Sequence, residues 1–311
     1  MKLKTERCRY FLFLAIFLCG CWQGNIKRSG NDRIHDLAVI PIEDLMDIEF
    51  ITVGKKTEKL FESAAAAAVI TQEDIRKTGV ITIPDALRMV PGMQVVQHNA
   101  SSWAITVRGF SGFSRAINGQ FANKLLVMSD GRSVYTPLFS GVSWAAQEIL
   151  LDDVERIEIV RGPGATLWGS NAVNGVINIL SKPSEATQGV LLTLGGGTEQ
   201  RAFGHFRYGG RVNDYLHFRV YGKYFEADDA ADSTGAPARD GWHIGHGGFR
   251  MDWNWTPNHA LTLLGDIYDG AAGQRYSQVD SLTPPYKHRF DLNDTFSGAN
   301  MLGRWTGRLN Q

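Results

Sequence analysis

The chain has 311 residues and carries 32 Lys+Arg against 32 Asp+Glu, so its formal net charge is zero and no global basic field points to nucleic acid. That length admits one large or two moderate domains with ample chain for a core. Its three cysteines, Cys8, Cys19 and Cys21, all fall at the extreme amino terminus, so the body forms no internal disulfide and offers no thiolate to a metal or a nucleophilic reaction.

Residues 1–21 read as an export signal. Lys2, Lys4, Arg7 and Arg9 precede an apolar stretch from Tyr10 to Cys19 that is too short for an ordinary membrane span. The bland alternative is a buried amino-terminal helix. Leu18-Cys19-Gly20-Cys21 resembles a bacterial lipobox, with Cys21 as the acylated residue and Cys19 an atypical neighbour. After the leader no apolar run reaches the length of a transmembrane helix, so a membrane-spanning body must be a closed β-barrel.

Residues 22–63 are polar and weakly periodic and read as a flexible segment containing one β-prone run, Ile48-Glu49-Phe50-Ile51-Thr52-Val53. Ala64 to Ala68 favours helix while Val69-Ile70-Thr71 favours strand, and composition leaves both open. Thr71-x-x-Asp74 predicts a capped helical turn or two, closed by Gly79. Thr82-x-x-Asp85 repeats the signature, and Ile83, Ala86, Leu87 and Val90 stack on one face of a short amphipathic helix that runs to Pro91-Gly92.

Ile105 and Val107 alternate with Thr106 and Arg108, a half-buried strand. Asp130-Gly131 between two apolar runs predicts a hairpin. Val154, Ile157 and Ile159 give one apolar edge, and Val176, Ile177, Ile179 and Leu180 form a run that can be buried on both sides. Between them lie Gly162, Pro163, Gly164, Gly169 and Gly175, suited to a tight turn and close backbone approach. This loop is a poor nucleotide site. Its stretch from Gly164 to Ser170 lacks the phosphate-binding lysine, and Leu167 stands where a dinucleotide loop needs its third glycine. Nor does a hydrolase reading find a Ser/His/Asp or Cys/His constellation at a recognisable motif.

From Gly189 the texture changes to alternating segments rich in glycine and aromatics, near 189–196, 200–209, 214–226, 245–256, 259–269 and 296–308. Leu216, Phe218, Val220 and Tyr224 alternate with His217, Arg219, Tyr221 and Lys223, and Phe249, Met251, Trp253 and Trp255 with Arg250, Asp252 and Asn254. One greasy and one charged face suit a lipid-out, lumen-in barrel wall, although a soluble β-sandwich also alternates. His205, His217, His243 and His246 invite a metal reading, but only His243 and His246 are close and no carboxylate or cysteine spacing completes a site.

The block from Val154 to Lys182 resembles the end of the plug domain of TonB-dependent outer-membrane receptors, whose usual form is V-E-R-I-E-V-x-R-G-P followed by Y/W-G-x-x-A-x-x-G-V-I-N-I. Pro84 to Val95, Ile105 to Phe110 and Leu125 to Arg132 resemble earlier plug elements in the same order. The resemblance tips Ala64–Thr71 to strand. It implies an α+β plug domain over 64–183, a small mixed sheet with short helices, followed over 188–311 by about the first six antiparallel strands of a transmembrane β-barrel left incomplete. Plugged transporters have about 22 strands, so the expectation is a fragment of a longer receptor or a truncated product.

What the resemblance implies for function is energy-coupled uptake of a scarce ligand such as a siderophore or cobalamin. The run Ile48, Glu49, Phe50, Ile51, Thr52 and Val53 stands as a candidate Ton box, an edge strand added to the periplasmic protein TonB; a plain linker strand is the alternative. Arg108 and Arg161 match two plug arginines that pair with barrel carboxylates, the alternative being solvated strand-end charges. Ligand-facing loops are expected to carry His98, Trp103, Phe113, Arg115, Phe139 and Trp144, though such aromatics also serve as anchors. The implied partners are TonB, a small-molecule or metal-chelate ligand and outer-membrane lipid. Neither cofactor nor metal nor nucleic acid is implied. The rival readings are a plug-like ligand-binding lipoprotein and a non-functional receptor fragment.

Overall fold

The computed structural model describes residues 49–50, 58–59, 66–109, 124–136, 141–279, 284 and 286–307. The expected leader with Cys21 and most of the segment 22–63 lie outside them. Two short strands, β1 (Glu49–Phe50) and β2 (Glu58–Lys59), pair antiparallel.

The ambiguous alanine-rich stretch forms a strand, β3 (Ala67–Thr71). Tertiary pairing outweighs the alanine preference for helix: β3 pairs along its whole length with β8 (Val154–Val160), and Ile70 is buried. Thr71 ends β3 and caps α1 (Gln72–Thr78). Its hydroxyl accepts the Asp74 N–H at 3.2 Å while its own N–H donates to the Asp74 carboxylate at 2.8 Å. Thr82 caps α2 (Ile83–Leu87) through its hydroxyl alone, which accepts the Asp85 N–H at 3.3 Å and donates to the Asp85 carboxylate at 2.7 Å. This helix stops short of Pro91, because after Leu87 the backbone tightens into three-residue bonds from Met89 to Ala86 and Val90 to Leu87. Its apolar face forms as read, with Ile83, Ala86, Leu87 and Val90 all buried.

A hairpin follows, β4 (Met93–Asn99) with β5 (Ser102–Val107), and then a second, β6 (Leu125–Ser129) with β7 (Arg132–Ser133). Its turn residues Asp130 and Gly131 lie at φ 48° and 83°, the paired left-handed conformation that makes Asp-Gly a two-residue hairpin turn. β8 leads through α3 (Ala165–Trp168) to β9 (Gly175–Ser181). The resulting sheet is mixed, in the order β3-β8-β9-β6-β7, with β6 and β9 parallel. Central β9 is buried from Gly175 through Ile179, as a run of β-branched residues covered on both faces should be. At Gly175 an added Cβ would sit 2.5 Å from the Val160 carbonyl oxygen, so glycine is required there by contact. The helices and the β4–β5 hairpin close the core over Ile157, Ile159, Ile177 and Ile179.

The remaining strands, β10 (Gly189–Gly195), β11 (Ala202–Asn213), β12 (Leu216–Ala227), β13 (Trp242–Thr256), β14 (His259–Val279) and β15 (Lys287–Gly307), pair antiparallel in chain order as an open six-stranded wall. Its faces divide as the alternation predicts. Val220, Tyr224, Phe249 and Trp253 are exposed, while Arg219 and Asp252 are turned inward and buried. β14 and β15 run 21 residues each, far beyond the sequence expectation and beyond the roughly 9–11 that cross a bilayer. The outer half of β14, from Gly270 to Val279, is polar and small-residue-rich, and that of β15 alternates only briefly, at Phe290 and Leu292. They stay paired through cross-strand partners such as Arg275 with Asp291 at 2.8 Å and Tyr276 stacked on Phe290 at 5.7 Å.

The wall also has a direction. Tight turns at 214–215 and 257–258 mark one end, and longer connections at 196–201, 228–241 and 280–286 the other. Barrels keep short turns on the periplasmic side. At that end Trp255, His259 and Trp305 stack with centroids 6.0 and 5.7 Å apart, where an aromatic girdle meets lipid headgroups.

Candidate functional site

The inner face of the wall meets the α+β unit along a charged seam. Strand alternation brings His205 and Arg207 of β11, Arg219 and Lys223 of β12, and His246, Arg250 and Asp252 of β13 to that face. Opposite them, the short 3-10 turns Ala145–Gln147 and Leu151–Asp153 offer Glu148, Asp152 and Asp153, and the β6–β7 turn offers Asp130.

Lys223 Nζ lies 2.6 Å from Glu148 Oε2, with side chains 8 % and 1 % exposed; that burial makes the pair far more than a surface contact. His246 Nδ1 meets the Glu148 carbonyl oxygen at 2.8 Å, and its Nε2 lies 3.2 Å from Asp266 Oδ1. Asp153 is shared by two wall arginines, Arg207 and, at 3.3 Å, Arg219. Arg250 Nη1 donates to Ser181 Oγ at 2.8 Å and lies 3.8 Å from Asp130. Arg304 of β15 donates to the Asp130 carbonyl oxygen.

Asp152, 3.0 Å from His205, is held below the usual aspartate range chiefly by the hydrogen bond with His205, against an opposing effect of burial. Burial lowers Lys182, and the charges of Asp153 and Asp152 offset part of that shift. In each ion pair that crosses the seam the carboxylate belongs to the inner unit and the cation to the wall. Such a seam holds while dry and weakens once water screens it.

Residues 59–176 match the family model of the TonB-dependent receptor plug domain. Over 165 residues the chain is 30 % identical to a vitamin B12 transporter BtuB of Vibrio vulnificus (strain CMCP6), covering 51 % of this chain and 25 % of that protein. Over 291 residues it is 26 % identical to the ferric enterobactin receptor PirA of Pseudomonas aeruginosa, covering 82 % of this chain and 38 % of the relative. The outer-membrane ferripyoverdine receptor of Pseudomonas aeruginosa superposes with a TM-score of 0.57 at 15 % identity, over 82 % of this chain and 34 % of that one. The chain carries a TonB-dependent receptor plug domain. Its place is the bacterial outer membrane, and it spans well under half the length of these relatives.

The plug residues singled out from sequence fall in different places. Arg161 Nη1 donates to the Pro91 carbonyl oxygen at 2.6 Å, and Arg108 is exposed at φ 60°. Among the described residues neither meets a wall carboxylate, and the ion pairs that join plug to wall run with the opposite polarity. His98 is exposed on β4. Trp103 and Trp144 correct the expectation of ligand-facing aromatics: both are core residues, 4 % and 3 % exposed. Trp103 meets Trp242 of the wall edge-on at 6.1 Å, so its area anchors the plug. Phe113, Arg115 and Phe139 lie outside the described residues, as do Ile48, Ile51, Thr52 and Val53; Glu49 and Phe50 form β1.

Sequence reasoning passed over Glu148, Asp152 and Asp153. Their signal was faint but present, three carboxylates within six residues in a stretch otherwise apolar enough to be buried.

Proposed function

We propose that this chain serves energy-coupled uptake across the outer membrane, as the plug-bearing part of a receptor for a scarce metal chelate or cobalamin-like ligand. The charged seam carries the reading. A plug that must block a lumen and yet yield needs contacts that are specific but separable, and paired charges supply these beside the apolar contact where Trp103 meets Trp242. Relatives named for vitamin B12 and for ferric enterobactin support that ligand class. They are receptors and transporters rather than enzymes, and no reaction is assigned to the seam.

In this reading the segment Ile48–Val53 pairs with TonB by strand addition, for which an extended backbone like that of Glu49–Phe50 suffices. His98 and the segments that carry Phe113, Arg115 and Phe139 face the ligand, and Arg108 and Arg161 complete the lock on wall strands other than the six described. A photo-reactive phenylalanine at Phe50, irradiated in cells, should crosslink to TonB. Absence of that crosslink while the chain resides in the outer membrane would refute the coupling. Growth of a deletion strain on defined iron chelates or cobalamin then identifies the ligand; growth unimpaired on every source would favour a plug-like binding lipoprotein.

A further inference from the structure

The stretch between β9 and β10 is short, yet two of its side chains are among the most deeply buried in the molecule. Ser184 is 0 % and Thr187 1 % exposed. Both belong to a 3-10 turn, Ser184–Thr187, that lies against three wall strands.

Asp252 of β13 is the centre of that contact. Its Oδ2 accepts the Ser184 N–H at 2.7 Å and the Ser184 hydroxyl at 2.6 Å. Arg250 grips the same carboxylate with two nitrogens at 2.9 and 3.1 Å, and Thr262 of β14 donates to Oδ1 at 2.8 Å. Arg219 of β12 donates to the Lys182 carbonyl oxygen at 2.5 Å, closing the other side of the turn. On β11, Gly209 leaves space for it: an added Cβ there would lie 1.9 Å from the Thr187 carbonyl oxygen. By contrast, the β4–β5 turn is tied through the Ala100 N–H to Asp240, which lies on the connection between β12 and β13 rather than on a strand.

We propose that Asp252 is a positioning residue that fixes the linker 182–188 to the barrel wall, so that the carboxyl end of the plug stays in place while the rest of it yields. A carboxylate that receives two donors from the linker and three from the wall is fully satisfied only with the turn seated, because removing the turn leaves buried acceptor capacity unmet. A plug held at Ser184 does not leave the lumen as a rigid body. Its release has to run from the amino-terminal side, where β3 is the edge strand of its sheet. The purpose of this anchor rests on the transport reading; its geometry does not.

Hydrogen exchange of the full chain in detergent, read by mass spectrometry without TonB or ligand, tests the anchor separately from uptake. The amides of 184–188 should be protected to the level of β12 and β13 in the parent protein. Asp252→Asn should speed their exchange at least about tenfold while β8 and β9 are unchanged. Asp252→Glu, which keeps the carboxylate, should restore most of the protection, and a general packing defect would not be rescued in this way. Gly209→Ala should produce the same local release from a different strand. Unchanged exchange at 184–188 in both Asp252→Asn and Gly209→Ala overturns the proposal. So does a rise spread evenly through β12 and β13, which would make Asp252 a wall residue alone.

Discussion

Replacing Lys223 with methionine removes the cation from the most deeply buried ion pair of the seam. Glu148, 1 % exposed, then loses its cationic partner at a buried position, with its Oε1 already lacking a hydrogen-bond partner among the described residues. Breaking a buried pair from one side costs about 3–5 kcal/mol, whereas replacing both partners by apolar groups of similar volume is close to neutral. Lys223→Met should therefore destabilise plug docking by about 3–5 kcal/mol, and Glu148→Leu by a comparable amount. The double variant should recover most of the loss, giving a coupling of at least about 2 kcal/mol. The assay is urea titration in micelles, following the fluorescence of buried Trp144. If both single variants fall within about 0.5 kcal/mol of the parent, the pair behaves as a wet surface contact and the separable dry seam is wrong.

Two further outcomes follow from named residues. Asp152 has a folded-state pKa below its ordinary value, so its stabilising contribution is complete above about pH 4 and is lost as pH falls through the lower folded value; with 45 % of the side chain exposed, the effect is small. Acid titration of plug docking should be shallower in Asp152→Asn than in the parent, and identical curves would discard the His205 contact as an energetic one. Gly131→Ala places a side chain at φ 83°, a conformation that costs an L-residue about 1–2 kcal/mol, and the denaturation midpoint should fall accordingly; an unshifted midpoint would mean that the hairpin turn tolerates another geometry.

The sequence showed much of the architecture because its elements carry local signals. Thr71 and Thr82 announce their helices through side-chain caps, Asp130-Gly131 through turn chemistry, and β12 and β13 through strict alternation between lipid and lumen faces. β14 and β15 outran their signal because beyond the bilayer no face has to be apolar. Trp103 and Trp144 misled for a related reason: an aromatic near a loop looks the same whether it faces a ligand or fills a core, and only the partner, here Trp242 for Trp103, decides. The seam was hidden more deeply. Glu148 and Lys223 are 75 residues apart; alternation puts Lys223 on the charged face of β12, but no periodic pattern around Glu148 reveals it as the partner.

The wall turns its exposed tryptophans to lipid and its buried one, Trp242, to the plug. Single-tryptophan variants retaining either Trp305, 63 % exposed, or Trp242, 3 % exposed, can be reconstituted in vesicles containing brominated lipids. The account predicts strong quenching of Trp305 and little of Trp242; quenching of Trp242 with Trp305 untouched would contradict it.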